Sequence, residues 1–426
     1  MKVISDLRSH PLDDKIVITG LGGVCSIGNS VPEITQELMS GKSGATEIAG
    51  SYAGQFGSLA AWAKDPPAIR TDIHPQLART MGKHLSLLLA PVEEALGRAG
   101  IVPGNFDPRD IGFFAGMGMV DYHVEDLLGA VLKSLNRDGD LDYDRFFPAG
   151  YQEIYPLWPL GMLNNVVFCQ AAIHFGLQGE NCVFSPHGDA GIQAVAEAVK
   201  VLEGGKAKVA LAGGVSEEIS PLSLGRARLH GLTHPCNRAG AEPARGESPE
   251  EGEDVFLGEC GAMLVIEPFS SAVERHADVL AGIAGFGFAF GKEEKGGFAS
   301  CLAISSAMKG ALCDASLDPG HIDLIMLGSL NQNEVEAARG IFRMGADMPI
   351  MVATANALGE MFAAGPILNA AIGLSIPDQA LFPSSVYRLP PTVHRPRPWR
   401  RVLVNGISYE GGCASMIIER TGGETV

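Results

Sequence analysis

The sequence predicts an α/β protein with a duplicated core, and three observations carry that reading. Short apolar runs of strand composition alternate with longer stretches of helical spacing from about residue 15 to residue 420. The alternation occurs twice, in the same order, in the two halves of the chain. With 426 residues, 46% of them hydrophobic and 19% charged, the chain is long and apolar enough to bury a large core. Helices packed between two sheets satisfy this pattern, because each element then has a neighbour for its apolar face.

Taken in order, residues 15–23 (KIVITGLGG) predict an apolar strand ending in a glycine-rich turn. Val31–Met39 predicts a helix, residues 41–44 a turn, and residues 50–75 an irregular stretch rich in Gly, Ala and Pro. Residues 78–99 predict a long helix, with Leu85, Leu88, Leu89, Val92 and Leu96 at helical spacing. Residues 111–116 predict a buried strand, residues 124–135 an amphipathic helix and residues 163–175 another helix. Residues 182–184 and 208–214 predict strands on either side of a helix at 192–202. The polar, Glu-rich run at 234–254 predicts an exposed loop, after which strand character returns at 255–267. In the second half, a strand at 322–327 mirrors 111–115, and each follows an Asp-Pro pair. A strand at 349–353 and a helix at 363–376 mirror 182–202, and a strand at 401–405 mirrors 208–212. We set the halves at residues 1–254 and 255–426. Residues 395–399 (RPRPW) read as a Pro-locked connector.

The most informative stretch is the turn at residues 185–191, Ser-Pro-His-Gly-Asp-Ala-Gly. Strand, sharp turn and helix together lift one side chain to the positive end of a helix, a geometry that usually presents a nucleophile. Here the turn offers His187, Gly188 and Asp189, with no Ser or Cys on the helix side of Pro186. His187 at a helix N-terminus stays neutral and can accept a proton, so an acid–base role is open to it. The plainer reading has His187 bonded to backbone and Asp189 capping the helix.

The totals exclude several classes. The formal net charge is −17, which disfavours nucleic acid and anionic membranes as partners. No run of about 18 apolar residues suggests a membrane span, and the opening residues MKVISDLRSH lack the apolar core of a signal peptide. The 8 cysteines form no CxxC pair and mostly sit in apolar segments, as expected of buried free thiols in a reducing cytoplasm. GLGGVCSIG is not the GxGxxG of a dinucleotide site, and residues 136–140 lack the spacing of a calcium loop. A zinc site from His174, His187 and a cysteine has no recognisable spacing. No cofactor and no metal are expected.

Several blocks then acquire a common meaning. VITGLGGVCSIGNS at 17–30 with ELMSGKSG after it, HFGLQGEN at 174–181, LAGGVSE at 211–217, FLGECGAMLVIE at 256–267 and NGISYEGGCASMIIE at 405–419 occur in this order. Together they resemble the β-ketoacyl-ACP synthase (ketosynthase) family of the thiolase superfamily, over roughly residues 15–420. The resemblance implies a thiolase-like fold, a layered α-β-α-β-α arrangement of two α/β halves. It also implies a catalytic Cys at the elbow, two His residues from the second half, and a supporting Lys. Position by position, the Cys falls on Gly188, the two His on Gly328 and Gly359, and the Lys on Thr354. The family's gating Phe falls on Tyr409, with Ser408 and Glu410 replacing the glycines that flank it.

With three glycines in the three catalytic places, the chain is most similar to a chain-length factor. These are the non-catalytic ketosynthase-like subunits of type II polyketide systems, which usually carry Gln at the elbow. The resemblance then implies a heterodimer with an active ketosynthase, service to an acyl carrier protein, and a strand at 182–185 along the subunit interface. Segment 117–132 would cap or extend the partner's acyl tunnel, with Tyr122 and Leu128 shortening the product and Gly129 and Ala130 lengthening it. Two alternatives stay open. One is an acyltransferase with displaced chemistry at His187, Asp189 and Glu360. The other is a homodimeric scaffold whose acyl pocket, stiffened at Ser408 and Tyr409, no longer opens.

Overall fold

The computed structural model describes residues 15–48, 59–64, 82–102, 104, 106–184, 187–232, 255–293, 298–342, 348–377, 382–383, 386–389 and 399–421. Residues 185–186 of the central turn, most of 50–75, residues 78–81, the loop at 234–254 and most of the Pro-rich connector lie outside them.

Ten strands of an eleven-stranded sheet form the framework, and the eleventh, Tyr387–Leu389, pairs antiparallel with Ile350–Val352 at one edge. The first five are β1 (Ile16–Cys25), β2 (Ile111–Met117), β3 (Asn181–Phe184), β4 (Val209–Val215) and β5 (Cys260–Pro268). The second five are β6 (Ala281–Phe290), β7 (Leu324–Met326), β8 (Ile350–Val352), β9 (Arg401–Ile407) and β10 (Gly412–Arg420). In space the first set runs β1-β5-β4-β2-β3 and the second β6-β10-β9-β7-β8. The senses repeat as well. β1–β5 and β5–β4 are antiparallel, while β4–β2 and β2–β3 are parallel. β6–β10 and β10–β9 are antiparallel, while β9–β7 and β7–β8 are parallel. The duplication expected from the sequence is therefore a duplication of topology. A two-rung bridge, Val17–Gly282 and Ile18–Ala281, joins β1 to β6, so the two sets run on as one sheet. β5 pairs with β1 and β4 and so belongs to the first set of strands.

Helices fill three further layers. α1 (Val31–Met39), α2 (Lys83–Arg98), α3 (Glu125–Ser134), α4 (Asn164–Phe175) and α5 (Ala190–Glu203) precede α6 (Pro221–Leu229), α7 (Cys301–Asp314), α8 (Gln332–Ile341) and α9 (Gly365–Ser375). α2 and α4 cover the outer face of the first set, and α7, backed by α8, covers that of the second. α5 and α9 lie between the two sets and touch strands of both. α9 is apolar all round, and Ile367, Leu368 and Ile372 are fully buried. A helix of that kind can only sit inside a protein.

Three expectations need correction. The glycines at 20, 22 and 23 do not end the first strand; β1 continues through them to Cys25. The reason is close packing: a Cβ on Gly22 would overlap the Pro91 carbonyl of α2, and one on Gly261 of β5 would overlap the Leu87 carbonyl. Glycine here lets a helix rest on a strand at backbone distance rather than making a turn. The long helix starts at Lys83, because Gly82 before it is extended (φ −69°, ψ 178°). Within the expected irregular stretch, Leu59–Ala61 forms a short strand that pairs with Leu257–Gly258 and Thr46–Glu47.

Gly22→Ala should therefore destabilise the chain by about 3 kcal/mol, since the blocking atoms are Pro91 main chain held in α2. Urea unfolding should show a lowered midpoint at unchanged slope.

Candidate functional site

The elbow is built between β3 and α5, and main chain closes it. Gly188 lies under the end of β9, and the Ile407 carbonyl occupies the place a Gly188 Cβ would take. The contact is reciprocal: a Cβ on Gly406 would meet the Gly188 carbonyl, with Pro366 Cγ at 3.0 Å and Asp189 Cα at 3.2 Å. Two glycines from different halves of the chain thus cross with no side chain between them.

The same strand end closes the second place. A Cβ on Gly328, just beyond β7, would lie 2.5 Å from the Asn405 carbonyl oxygen and 3.1 Å from the Ile407 nitrogen. The Gly328 N–H instead donates to Glu334 Oε1 at 2.8 Å. Ser329 donates to Glu334 Oε2 through its N–H (3.0 Å) and its hydroxyl (3.2 Å), and Asn405 Nδ2 donates to Oε1 at 2.8 Å. Ser415 Oγ donates to Asn405 Oδ1 at 2.7 Å and completes the network. Burial pushes the Glu334 carboxyl up to about 7, although all these donors favour its anion.

Gly359 has φ +80°, and a Cβ there would lie 2.7 Å from the Gly258 nitrogen. Its neighbour Glu360 is buried, with Oε2 lacking a partner. Burial first, and then the Glu334 charge, pushes Glu360 up to about 8, so it is protonated at neutral pH. Its backbone is pinned: its N–H donates to Phe256 at 2.7 Å, and its carbonyl accepts from Gly258 at 2.9 Å. Thr354 donates its hydroxyl to Asn369 Oδ1 at 2.6 Å, so that position supports the turn and carries no cation.

At the mouth of the elbow, His187 Nε2 stands 3.5 Å from Glu410 Oε2, and Nδ1 has no partner. The plain reading of His187 bonded to backbone through its ring is therefore not met. Burial lowers its pKa and keeps it neutral. Asp189 stands at the cap position of α5, but its side chain caps nothing there. Gln193 Nε2 donates to its Oδ2 at 2.6 Å instead, and burial raises the carboxyl. Tyr409 is buried under the rings of His187 (4.6 Å), His230 (4.4 Å) and Phe362 (5.5 Å). Ser408 closes the loop with N–H to Gly412 O at 2.8 Å, and its hydroxyl accepts from Glu410 N–H at 3.0 Å.

The structure brings together Gly188, Gly328, Glu334 and Asn405, with Gly359 and Glu360 beside them. It does not bring Tyr122 or Leu128 into this interior. Tyr122 packs edge-on to Trp158 at 5.3 Å, and Leu128 is exposed. No cluster suited to a metal occurs among the described residues, and His174 rests on Phe175. Asn136 accepts from the N–H groups of Asp138 and Asp140, both at 2.9 Å, which makes residues 136–140 a capped turn. Sequence reasoning missed Glu334. Its one signal is its place in the first turn of α8, six residues after Gly328, behind the Asn331 cap.

Side chains added at these three glycines should not fit. Gly188→Cys, Gly328→His and Gly359→His should each lower stability by about 2 kcal/mol or more, read as a fall in thermal midpoint. Glu334 and Glu360 bind protons more tightly folded than unfolded, so stability should fall as pH rises from about 4.5 toward 8. Glu360→Gln should flatten that fall by roughly 2–4 kcal/mol across the window, checked by urea unfolding at pH 5 and pH 8.

Comparison with known proteins fits this geometry. The family model "Beta-ketoacyl synthase, N-terminal domain" matches residues 13–272. A 3-oxoacyl-(acyl-carrier-protein) synthase 2 of Coxiella burnetii is 25% identical over 401 residues, covering 90% of this chain and 89% of that protein. The tetracenomycin polyketide synthase ketoacyl synthase beta subunit of Streptomyces glaucescens is 25% identical over 429 residues, covering 96% of this chain and 98% of the other. The solved ishigamide ketosynthase/chain length factor superposes with a TM-score of 0.74 at 20% identity, over 96% of this chain and 99% of that one, and shares the fold. No described helix is long and apolar enough to cross a membrane. With that model matched across more than half of its length, the chain belongs to the β-ketoacyl synthase family.

Proposed function

We propose that this chain is a non-catalytic ketosynthase-like subunit of the chain-length-factor kind, which pairs with an active β-ketoacyl synthase and shapes its acyl tunnel. The observation that carries the reading is the closure of all three catalytic places by main chain. A thiolate and two imidazoles have neither a side chain to stand on nor room to stand in. Bond making is then hosted by the partner, which also takes the acyl group from the carrier protein. The net charge of −17 supports leaving the docking of an acidic carrier chiefly to that partner.

The outer surface supports the pairing. β3 bonds to β2 along one edge and to no other described strand. Residues 124–163 carry exposed large apolar side chains, among them Leu128, Leu132, Phe147, Tyr151, Tyr155 and Leu160, with Phe147 68% exposed, and α3 packs on the turns at 146–153 that hold Phe147 and Tyr151. Apolar area of that extent marks an interface, and an open strand edge invites a second chain. Tyr122 and Leu128 belong to this outer face, as tunnel-capping residues for a neighbour would. The acid–base reading loses support, because Asp189 is bonded to Gln193 and His187 is roofed by Tyr409.

From its native extract the chain should co-purify with a ketosynthase that keeps its Cys and His residues, and the native mass should be that of a heterodimer. Alone it should neither decarboxylate malonyl-ACP nor condense it. Condensation by the isolated chain, abolished in His187→Ala, would replace this reading with the displaced-chemistry one. Symmetric self-dimers that bind acyl ligand without turnover would favour the scaffold.

A further inference from the structure

The segment that leaves β2 is tied down by charges no catalytic reading uses. Gly118 continues the ladder with its N–H to Val215 O at 2.8 Å, and it passes so close to Glu217 that a Cβ would lie 2.5 Å from that nitrogen. Three residues later Asp121, nearly buried, accepts from Arg226 Nη1 at 2.6 Å, Arg226 Nη2 at 3.1 Å and Ser220 Oγ at 2.6 Å. Arg226 Nη2 also donates to Glu217 Oε2 at 2.8 Å. Ser220 caps α6, accepting from Leu222 N–H at 3.2 Å and Ser223 N–H at 3.0 Å. One guanidinium thus clamps three pieces of chain: the loop after β2, the end of β4 and the first turns of α6. The next residue is Tyr122, seated on Trp158 at the apolar outer face.

This cluster is poorly arranged for stability. Two carboxylates share one guanidinium, and Glu217 Oε1 and Arg226 Nε are buried without partners. A buried ion pair with such losses contributes no more than packed apolar residues would, and its advantage is a fixed geometry. The bidentate fork sets the direction of Asp121 as well as its distance.

We propose that Asp121, Arg226 and Glu217 are positioning residues that fix the loop at residues 118–123, and so the reach of Tyr122 into the partner's acyl tunnel. The proposal rests on the chain-length reading above and names the device that would set the length. Tyr122 acts on the growing chain, and the cluster acts through Tyr122.

The test uses the chain co-expressed with the ketosynthase it co-purifies with, fed malonyl-ACP, with products resolved by mass. In Arg226→Met and Asp121→Asn the heterodimer should still form. The ratio of the principal product to its next-longer homologue should shift by roughly threefold, a change of under 1 kcal/mol in partition. Arg226→Lys, which keeps the charge and loses the fork, should fall between wild type and Arg226→Met. Amide exchange of the free variants should rise about tenfold at residues 118–123 and stay unchanged in β2 and β4. An intact heterodimer with an unchanged product ratio overturns the proposal. So does a variant whose exchange rises throughout the chain, since the cluster would then only hold the fold. A wild-type chain that pairs with no ketosynthase sinks the chain-length reading itself, an outcome visible before any variant is made.

Discussion

Most of this structure depends on a contact with no side chains in it: the end of β9 lying directly on Gly188 and Gly328. Gly188 comes from the first repeat, and β9 and Gly328 from the second. Where the two repeats meet, peptide packs on peptide, at the density of an interior and not of a cleft. Any Cβ at these positions would have to move β9, which is hydrogen-bonded to β7 on one side and β10 on the other. The closure is therefore as stiff as the sheet. It also explains why Gly188 and Gly328 occur together, since β9 cannot sit this close to one of them while a side chain on the other lifts it off.

The polar groups left in this interior have been turned to holding it shut. Glu334 gathers two N–H groups, a hydroxyl and an amide around the turn after β7. Its anion is stabilised by these donors and opposed by burial, and burial prevails, raising the carboxyl to about 7. Glu360, with only the Phe362 amide to favour its charge, stays protonated. Two carboxyls so close to one another would repel as anions. One proton kept on Glu360 lets Glu334 hold the turn.

The repeat was legible in the sequence because it is written locally. Apolar runs such as 322–327 and 401–405 carry strand composition whichever way they pair, and their order matches 111–116 and 208–214. What the sequence hid depends on distance. Glycines in β1 look like a turn until α2 is seen lying on them. Asp189 has the residue type and position of a cap, yet Gln193, one turn on, competes successfully for its carboxylate. Asp121 and Arg226 are 105 residues apart, and no spacing rule connects them. The elbow's emptiness, by contrast, could be read directly, because it is a matter of which residue type is present.

An elbow that carries glycine at its tip keeps a structural task. Here the strand–turn–helix also carries α5 between the two sheets, where it packs on α9 and on strands of both repeats. Removing the turn would uncouple the central layer, whereas removing the side chain leaves it intact and allows the repeats to close on each other. The same chain keeps large apolar side chains such as Phe147 and Tyr151 exposed, where solvent would select against them unless another surface covered them. A shut interior and an unfinished exterior point the same way. On the reading proposed above, the fold is kept for what it presents to a neighbour.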